Sequence, residues 1–478
     1  MIKKKSGVRP LPPLRGSRSQ ESELRTTRSL ILGLLLASSV FAADAGNTFF
    51  LKNADVYPVT GPMIKGGSIL VQDGKIVDVG AKLVAPKGVN VIDAHGSRVY
   101  PGLIDSGTEL GLSEISAERV SVDTSELGEF MPQLRALIAV NPESEHLGVV
   151  RVNGVTSAIS FPAPVRGGGG GGGRGGGATQ YISGQAAMIH LSGWTWEDME
   201  VARSAAMQLN FPAIRGRGGR GGGNPDFDVE ALFGGGAAAG GATTFAEQKR
   251  QYDQQIAKIN DFFDAARQYQ KERTANAPGF KKDLKMEAMM PVLEGKLPLA
   301  VSANRARSIH DAVLFADKQH VKIVILEPHD IDKVGAELKA KNIPVILGRT
   351  EALPDAEDAA YDEGETGPAE AYKAGVKFAF GTFDNEFSRN IGLQASRASA
   401  FGLPPEEALK AVTINAAQIW GTADKMGSIE KGKWADLIIC DGDPLDTMTH
   451  IERVFIKGND TEMMNKQIRL YRKYLERP

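Results

Sequence analysis

The stretch "VYPGLIDSGTELGL", residues 99–112, decides the fold. Its first half, Val99 to Ile104, is an apolar run that predicts a buried strand, and Asp105 ends that run. Residues that directly follow such a strand lie where a parallel barrel carries its chemistry. Gly107 offers no metal-ligand atom there, whereas Glu109 offers a carboxylate. The stretch therefore predicts a barrel strand that is followed by few side chains able to bind a metal ion.

Strands and helices alternate through the middle of the chain, which predicts a parallel sheet with crossover helices. The predicted strands are "GVTSAISFP" (154–162), "VKIVILEP" (321–328), "IPVILG" (343–348) and "VKFAFGT" (376–382). Helical spacing marks "ARSIHDAVLFADKQ" (306–319) and "IDKVGAELKAKN" (331–342). Strand-rich sequence at both ends of this middle predicts a small β domain built from both termini.

Two further helices are predicted. Thr244 and Glu247 fit a capping box, and apolar residues then keep helical spacing to about Lys271. Residues 404–420 open with Pro and Glu in the first turn and carry one apolar stripe, which predicts a single helix.

The N-terminus predicts export. Residues 1–42 hold eight Lys/Arg and end in the short uncharged run "SLILGLLLASSVFA", which is typical of a cleaved secretory signal. That run is too short to span a membrane, so no membrane span is expected after the signal is removed. Cys440 is the only cysteine, so export brings no intramolecular disulfide.

Charge and composition argue against nucleic acid as a partner. Without residues 1–42 the chain holds 48 basic and 56 acidic residues, which gives no general reason to bind nucleic acid or anionic lipid. Much of the glycine lies in tracts at 166–177, 215–223 and 233–241. These tracts lack aromatic platforms, so we interpret them as solvated loop insertions.

Three blocks, "VYPGLIDSGTELGL", "FGLPPEEALKAVTINAAQIWG" and "MGSIEKGKWADLIICDGDPL", resemble the amidohydrolase superfamily, and in particular its secreted imidazolonepropionase-like members. The resemblance implies a TIM-like (β/α)8 barrel over residues 99–424. It also implies a small β-sandwich domain built from residues 43–98 and 425–478.

The resemblance implies hydrolysis of a carbon–nitrogen bond with a divalent metal, usually zinc, which activates a bound water. Members carry a His-x-His pair after the first strand, histidines after two later strands, and an Asp after the last. This chain has Gly107 and Glu109 in place of the pair, and Ser302 where a histidine is expected. Phe383 stands between "GT" and Asp384, which moves the late Asp by one residue.

Glu109, His329 and Asp384 are the remaining candidate metal ligands, because each is expected at the chemical mouth of the barrel. With Asp105 they would suit a harder ion such as Mg²⁺ or Ca²⁺. A metal-free route, with Glu109 or Asp384 as general base, is the alternative chemistry.

Two functions follow. One is hydrolysis of a cyclic amide or a dipeptide-like compound by a degenerate metal site. The other is a pseudoenzyme that binds a small molecule, forms a homo-oligomer or pairs with an active paralogue.

Overall fold

The computed structural model describes residues 47–116, 118–162, 180–214, 244–354 and 359–477. The predicted signal segment and the three glycine tracts lie outside these ranges. Within them, no helix is long and apolar enough to cross a membrane.

The strands are β1 Phe49–Val56, β2 Ile64–Gln72, β3 Lys75–Gly80, β4 Asn90–Asp93, β5 Arg98–Pro101, β6 Leu103–Thr108, β7 Val155–Ser160, β8 Ile182–His190, β9 Glu200–Asn210, β10 Leu299–Ser302, β11 Ile323–Leu326, β12 Val345–Leu347, β13 Phe378–Phe380, β14 Leu437–Cys440, β15 Ile451–Ile456 and β16 Asn459–Thr461. The α-helices are α1 Ala136–Ala139, α2 Glu145–Arg151, α3 Trp196–Met199, α4 Phe245–Thr274, α5 Leu284–Leu293, α6 Ala306–Gln319, α7 Ile331–Ala340, α8 Glu363–Ala374, α9 Ile391–Ala400, α10 Pro405–Ala411, α11 Ile414–Ile419 and α12 Lys466–Leu475.

The first sheet takes strands from both ends of the described chain. Its order is β16-β15-β14-β5-β1-β2-β3, and β4 pairs with β1 outside that path. β14 joins the two halves, because it pairs antiparallel with β5, Ile438 opposite Tyr100. A separate core cluster that includes Phe49, Leu51, Ile69 and Phe455 supports this sheet.

The second sheet is the barrel, with eight strands in the order β13-β12-β11-β10-β9-β8-β7-β6. The predicted TIM-like barrel is confirmed, with one departure from its expected topology. β8 runs antiparallel to both β7 and β9. Antiparallel neighbours need no crossover helix, so the regular strand–helix alternation is broken at this point.

The stretch at residues 99–112 serves both sheets. Its apolar half, predicted as one strand, is divided between β5 and β6, and the division falls at Gly102. A Cβ on Gly102 would lie 2.2 Å from the Thr156 side chain, so only glycine fits this crossing. Its N–H donates to the carbonyl of Asp436, at 2.9 Å, which ties the crossing to the first sheet.

The barrel interior is filled with apolar side chains. Alternate residues of the barrel strands face inward, among them Ile104, Met188, Leu326 and Ile346. Phe161 and Trp420 join this cluster in an edge-to-face contact, with ring centroids 6.0 Å apart and ring planes inclined at 65°. The barrel is therefore a packed core, as in other barrels of this type.

The helices agree with the local signals, with one correction. Thr244 caps α4 as predicted, and the helix extends to Thr274. The helix predicted over residues 404–420 is broken into α10 and α11. The break leaves the Val412 carbonyl free to accept the Ile104 N–H of β6, at 2.8 Å. A hydrogen bond to the barrel strand β6 thus replaces a hydrogen bond inside the helix.

Asp105 joins the first barrel strand to the last. It is fully buried, and its Oδ1 accepts the N–H groups of Gly107 and Thr382, both at 3.1 Å. Its Oδ2 accepts the Thr382 hydroxyl at 2.5 Å. The order of the sheet places β13 and β6 at its two edges, and Asp105 connects these edges. Burial raises the pKa of Asp105 to about 7, although the hydrogen bonds oppose the rise.

We predict that Asp105→Asn changes the pH dependence of stability. The carboxyl of Asp105 binds its proton more tightly in the folded chain than in the unfolded chain, because burial raises its pKa. The contribution to stability is therefore complete below pH ~4, and it is lost as pH rises through ~7, at up to ~1.4 kcal/mol per pH unit. Urea unfolding of both proteins across this range measures it, because the other titrating groups cancel in the difference. The stability of the native chain relative to the variant should fall with rising pH. A constant difference would contradict the prediction.

Candidate functional site

The mouth of the barrel collects the residues that follow its parallel strands. Glu109 follows β6, Ser302 ends β10, Glu327 follows β11, and Asp384 lies beyond β13. Glu109, Glu327 and Asp384 are half-buried, whereas Ser302 is buried. Three of the four residues in these positions are acidic, and the fourth carries a hydroxyl.

An aromatic ring occupies the space beside Gly107, the first position of the missing pair. A Cβ on Gly107 would lie 2.4 Å from Cε1 of Phe383 and 2.8 Å from its Cζ. A side chain at residue 107 therefore cannot coexist with the ring of Phe383 in this position. The inserted residue and the glycine form one packed unit.

The backbone holds Phe383 in this position. Its φ is +49°, a left-handed conformation that is uncommon for a residue other than glycine. Its N–H donates to the Gly107 carbonyl at 2.7 Å, so this strained residue is anchored to β6. The ring is 3% exposed and lies 6.4 Å from Phe161, centroid to centroid. Aromatic packing thus extends the barrel core into the mouth.

Asp384 turns its carboxylate towards its own loop. Oδ1 accepts the N–H groups of Glu386 and Phe387, at 2.7 and 3.2 Å, at the start of a short 3₁₀ helix. Its carbonyl accepts the hydroxyls of Thr108 and Ser388, at 2.6 and 2.8 Å. The residue shift produced by Phe383 therefore gives Asp384 a role in capping the loop.

Ser302 belongs to a layer of buried amides that sequence reasoning missed. Gln208 of β9 donates from Nε2 to the Ser302 hydroxyl at 2.8 Å and to Oδ1 of Asn210 at 3.1 Å. Asn210 donates in turn to Ser183, at 2.8 Å. Oε1 of Gln208 is buried and accepts no hydrogen bond from the described residues. The signal was present in "AAMQLN" (205–210), where two amides interrupt the apolar second half of β9.

His329 lies at the rim of the mouth in an ionic contact. Its Nδ1 is 3.5 Å from Oε1 of Glu363, and Nη1 of Arg305 is 3.1 Å from the same oxygen. The hydrogen bond from His329 is the main cause that lowers the pKa of Glu363, and the charge of Arg305 adds to it. The side chain of His329 is thus held by Glu363.

His190 lies at the opposite end of the barrel from the mouth. The reversal of β8 carries its last residue there, and its Nε2 is 3.0 Å from Oδ2 of Asp436. Both side chains are buried. The reversal of β8 therefore keeps His190 away from the mouth.

The residues present do not fit zinc. A zinc site needs three or four nitrogen, sulfur or carboxylate ligands around one point. Gly107 and Ser302 offer none of these, and Phe383 fills the space beside residue 107. Nowhere in the described ranges do three or more His, Cys, Asp or Glu side chains form a group that could hold a metal ion. The predicted set Glu109, His329 and Asp384, with or without Asp105, is therefore not assembled in this structure.

The packing of Phe383 on Gly107 predicts a coupled stability effect. Gly107→Ala should destabilise the native chain by ~1–3 kcal/mol through overpacking. The same change should cost much less in a Phe383→Ala background, because the ring is gone. Urea unfolding of the four proteins in a double-mutant cycle measures the coupling.

Gly80→Ala in β3 is the matched control, since a Cβ there would meet no atom closer than 3.9 Å. Equal costs of Gly107→Ala in the two backgrounds would show that the ring does not limit residue 107.

The similarity to known proteins includes the later barrel strands and the C-terminal strands of the first sheet. The amidohydrolase family profile matches residues 306–461. Amidohydrolase tasK of Hapsidospora irregularis is 23% identical over 420 residues, which cover 82% of this chain and 39% of that protein. Imidazolonepropionase of Brucella suis is 30% identical over 158 residues, which cover 30% of this chain and 35% of that enzyme. The chain therefore spans less than half of the length of these relatives.

A solved amidohydrolase from Thermotoga maritima extends the similarity to the whole fold. Its TM-score is 0.70 at 27% identity, covering 87% of this chain and 99% of that structure. Barrel, accessory sheet and family profile agree, and the chain belongs to the amidohydrolase superfamily as an imidazolonepropionase-like member.

Proposed function

We propose that this chain is a pseudoenzyme of the amidohydrolase superfamily, which binds a small polar molecule at the barrel mouth without hydrolysing it by the zinc route. The observation that carries the proposal is the ring of Phe383, packed where a Cβ of residue 107 would lie. A histidine at residue 107 and this ring exclude one another.

The amide layer supports the binding role. The buried Oε1 of Gln208 accepts no hydrogen bond from the described residues, and a buried acceptor without a donor is costly. Gln208 is 0% exposed, so a ligand with N–H donors, such as a cyclic amide or a dipeptide, would satisfy it only by entering the amide layer. Such ligands match the substrate class expected from the resemblance. The chain would then still bind these molecules although it no longer hydrolyses them.

Hydrolysis of a carbon–nitrogen bond is the second candidate, and the hydrolase relatives favour it. A metal-free route would need Glu109 or Asp384 as general base. The carboxylate of Asp384 already accepts two backbone N–H groups, which makes it a poor choice. Glu109, half-buried beside β6, is the better candidate for that role.

The cellular setting is also proposed. The basic and apolar segment at residues 1–42 supports export to the periplasm or the extracellular space. A chain of this kind would act there as a ligand carrier, as a homo-oligomer, or beside an active paralogue.

Metal analysis and turnover assays test the proposal. We expect the purified full chain to contain zinc far below one ion per chain, and to show no turnover of cyclic amides or dipeptides with added Zn²⁺ or Mn²⁺. The same panel should contain compounds that raise the melting temperature, and Gln208→Met should abolish that rise. The matched variant lacks Phe383 and carries Gly107→His, Glu109→His and Ser302→His, and it should gain zinc.

Zinc at one ion per chain, with turnover that a chelator removes, would refute the pseudoenzyme and favour the hydrolase. Turnover without metal, lost in Glu109→Gln, would identify the metal-free route. No thermal shift with any compound would argue against ligand binding.

A further inference from the structure

Helix α12 is an amphipathic helix that the described part of the chain leaves uncovered. It covers Lys466–Leu475, and Asn465 caps it by accepting the Ile468 N–H at 2.8 Å. None of its ten residues is buried. The helix is therefore well formed but contributes little to the core.

One side of α12 is apolar. At 100° per residue, Ile468, Tyr471 and Leu475 share a face that Tyr474 and Leu470 widen. Tyr471 and Leu475 are each 65% exposed, and Tyr474 is 49% exposed. Exposed large apolar side chains on one face of a helix point to an interaction surface.

The other side is cationic. Residues 466–477 hold five Lys/Arg and one acid, Glu476. Arg469 pairs with Glu145 at 2.6 Å, whereas Lys466, Arg472 and Lys473 form no ion pair within the described ranges. The net charge of the chain hides this local excess, because the remainder of the chain is acidic.

The positive charge of α12 indicates which kind of partner its exposed face binds. A second copy of the chain would bring one cationic helix against another, which like-charge repulsion disfavours. A cationic face beside exposed Leu and Tyr instead suits the boundary of an anionic lipid bilayer, where the apolar face enters and the cations meet headgroups. We infer that α12 is a peripheral membrane-binding helix specific for anionic lipid.

Vesicle binding of the full chain tests the inference. We expect co-sedimentation with vesicles of phosphatidylcholine and phosphatidylglycerol, weakened by salt, and little binding to pure phosphatidylcholine. Arg472→Glu with Lys473→Glu should lower the partition coefficient at least tenfold, since each basic residue near an anionic surface contributes about fivefold. Tyr471→Ser with Leu475→Ser should also weaken binding, because it removes the inserted face.

Lys281→Glu with Lys282→Glu is the matched control, because both lysines are exposed and the change in charge is the same. The control should bind as the native chain does, and all variants should keep the native melting temperature, since α12 is not buried. Equal loss in the control, no binding to anionic vesicles, or a dimer that Tyr471→Ser with Leu475→Ser dissociates would each overturn the inference.

Discussion

A single buried carboxylate joins the two edges of the barrel sheet. Asp105 accepts donors from its own strand and from Thr382, beyond the last strand, while Phe383 adds a backbone hydrogen bond to Gly107. The position of Phe383, and through it the direction of Asp384, depends on this junction. Since burial disfavours the charged form, the junction that closes the barrel is also sensitive to pH.

Local patterns were sufficient for most elements. Helix α6 covers the residues that its spacing predicts, and the Thr244 capping box marks the start of α4, because caps and amphipathic stripes are read within a few residues. The reversal of β8 and the break at Val412 could not be predicted in this way. Both depend on hydrogen bonds to distant strands, which local periodicity does not record.

The candidate site could likewise be predicted only in part from the sequence. The absence of an imidazole at Gly107 and Ser302 is visible in the sequence, as is the extra residue Phe383. The sequence does not show that the extra residue fills the space beside the glycine, because that contact joins residues far apart in the chain. The amides of "MQLN" are also visible in the sequence, but it does not show that Gln208 donates to the predicted site residue Ser302, which lies on another strand.

The packing of Phe383 on Gly107 also bears on how such a protein evolves. A histidine regained at residue 107 would collide with the ring, and loss of the ring alone would open a void in a packed core. Each step back towards a metal site is therefore harmful until the other has occurred. If the chain is the pseudoenzyme proposed above, this coupling between residues 107 and 383 would make the loss of the metal route hard to reverse.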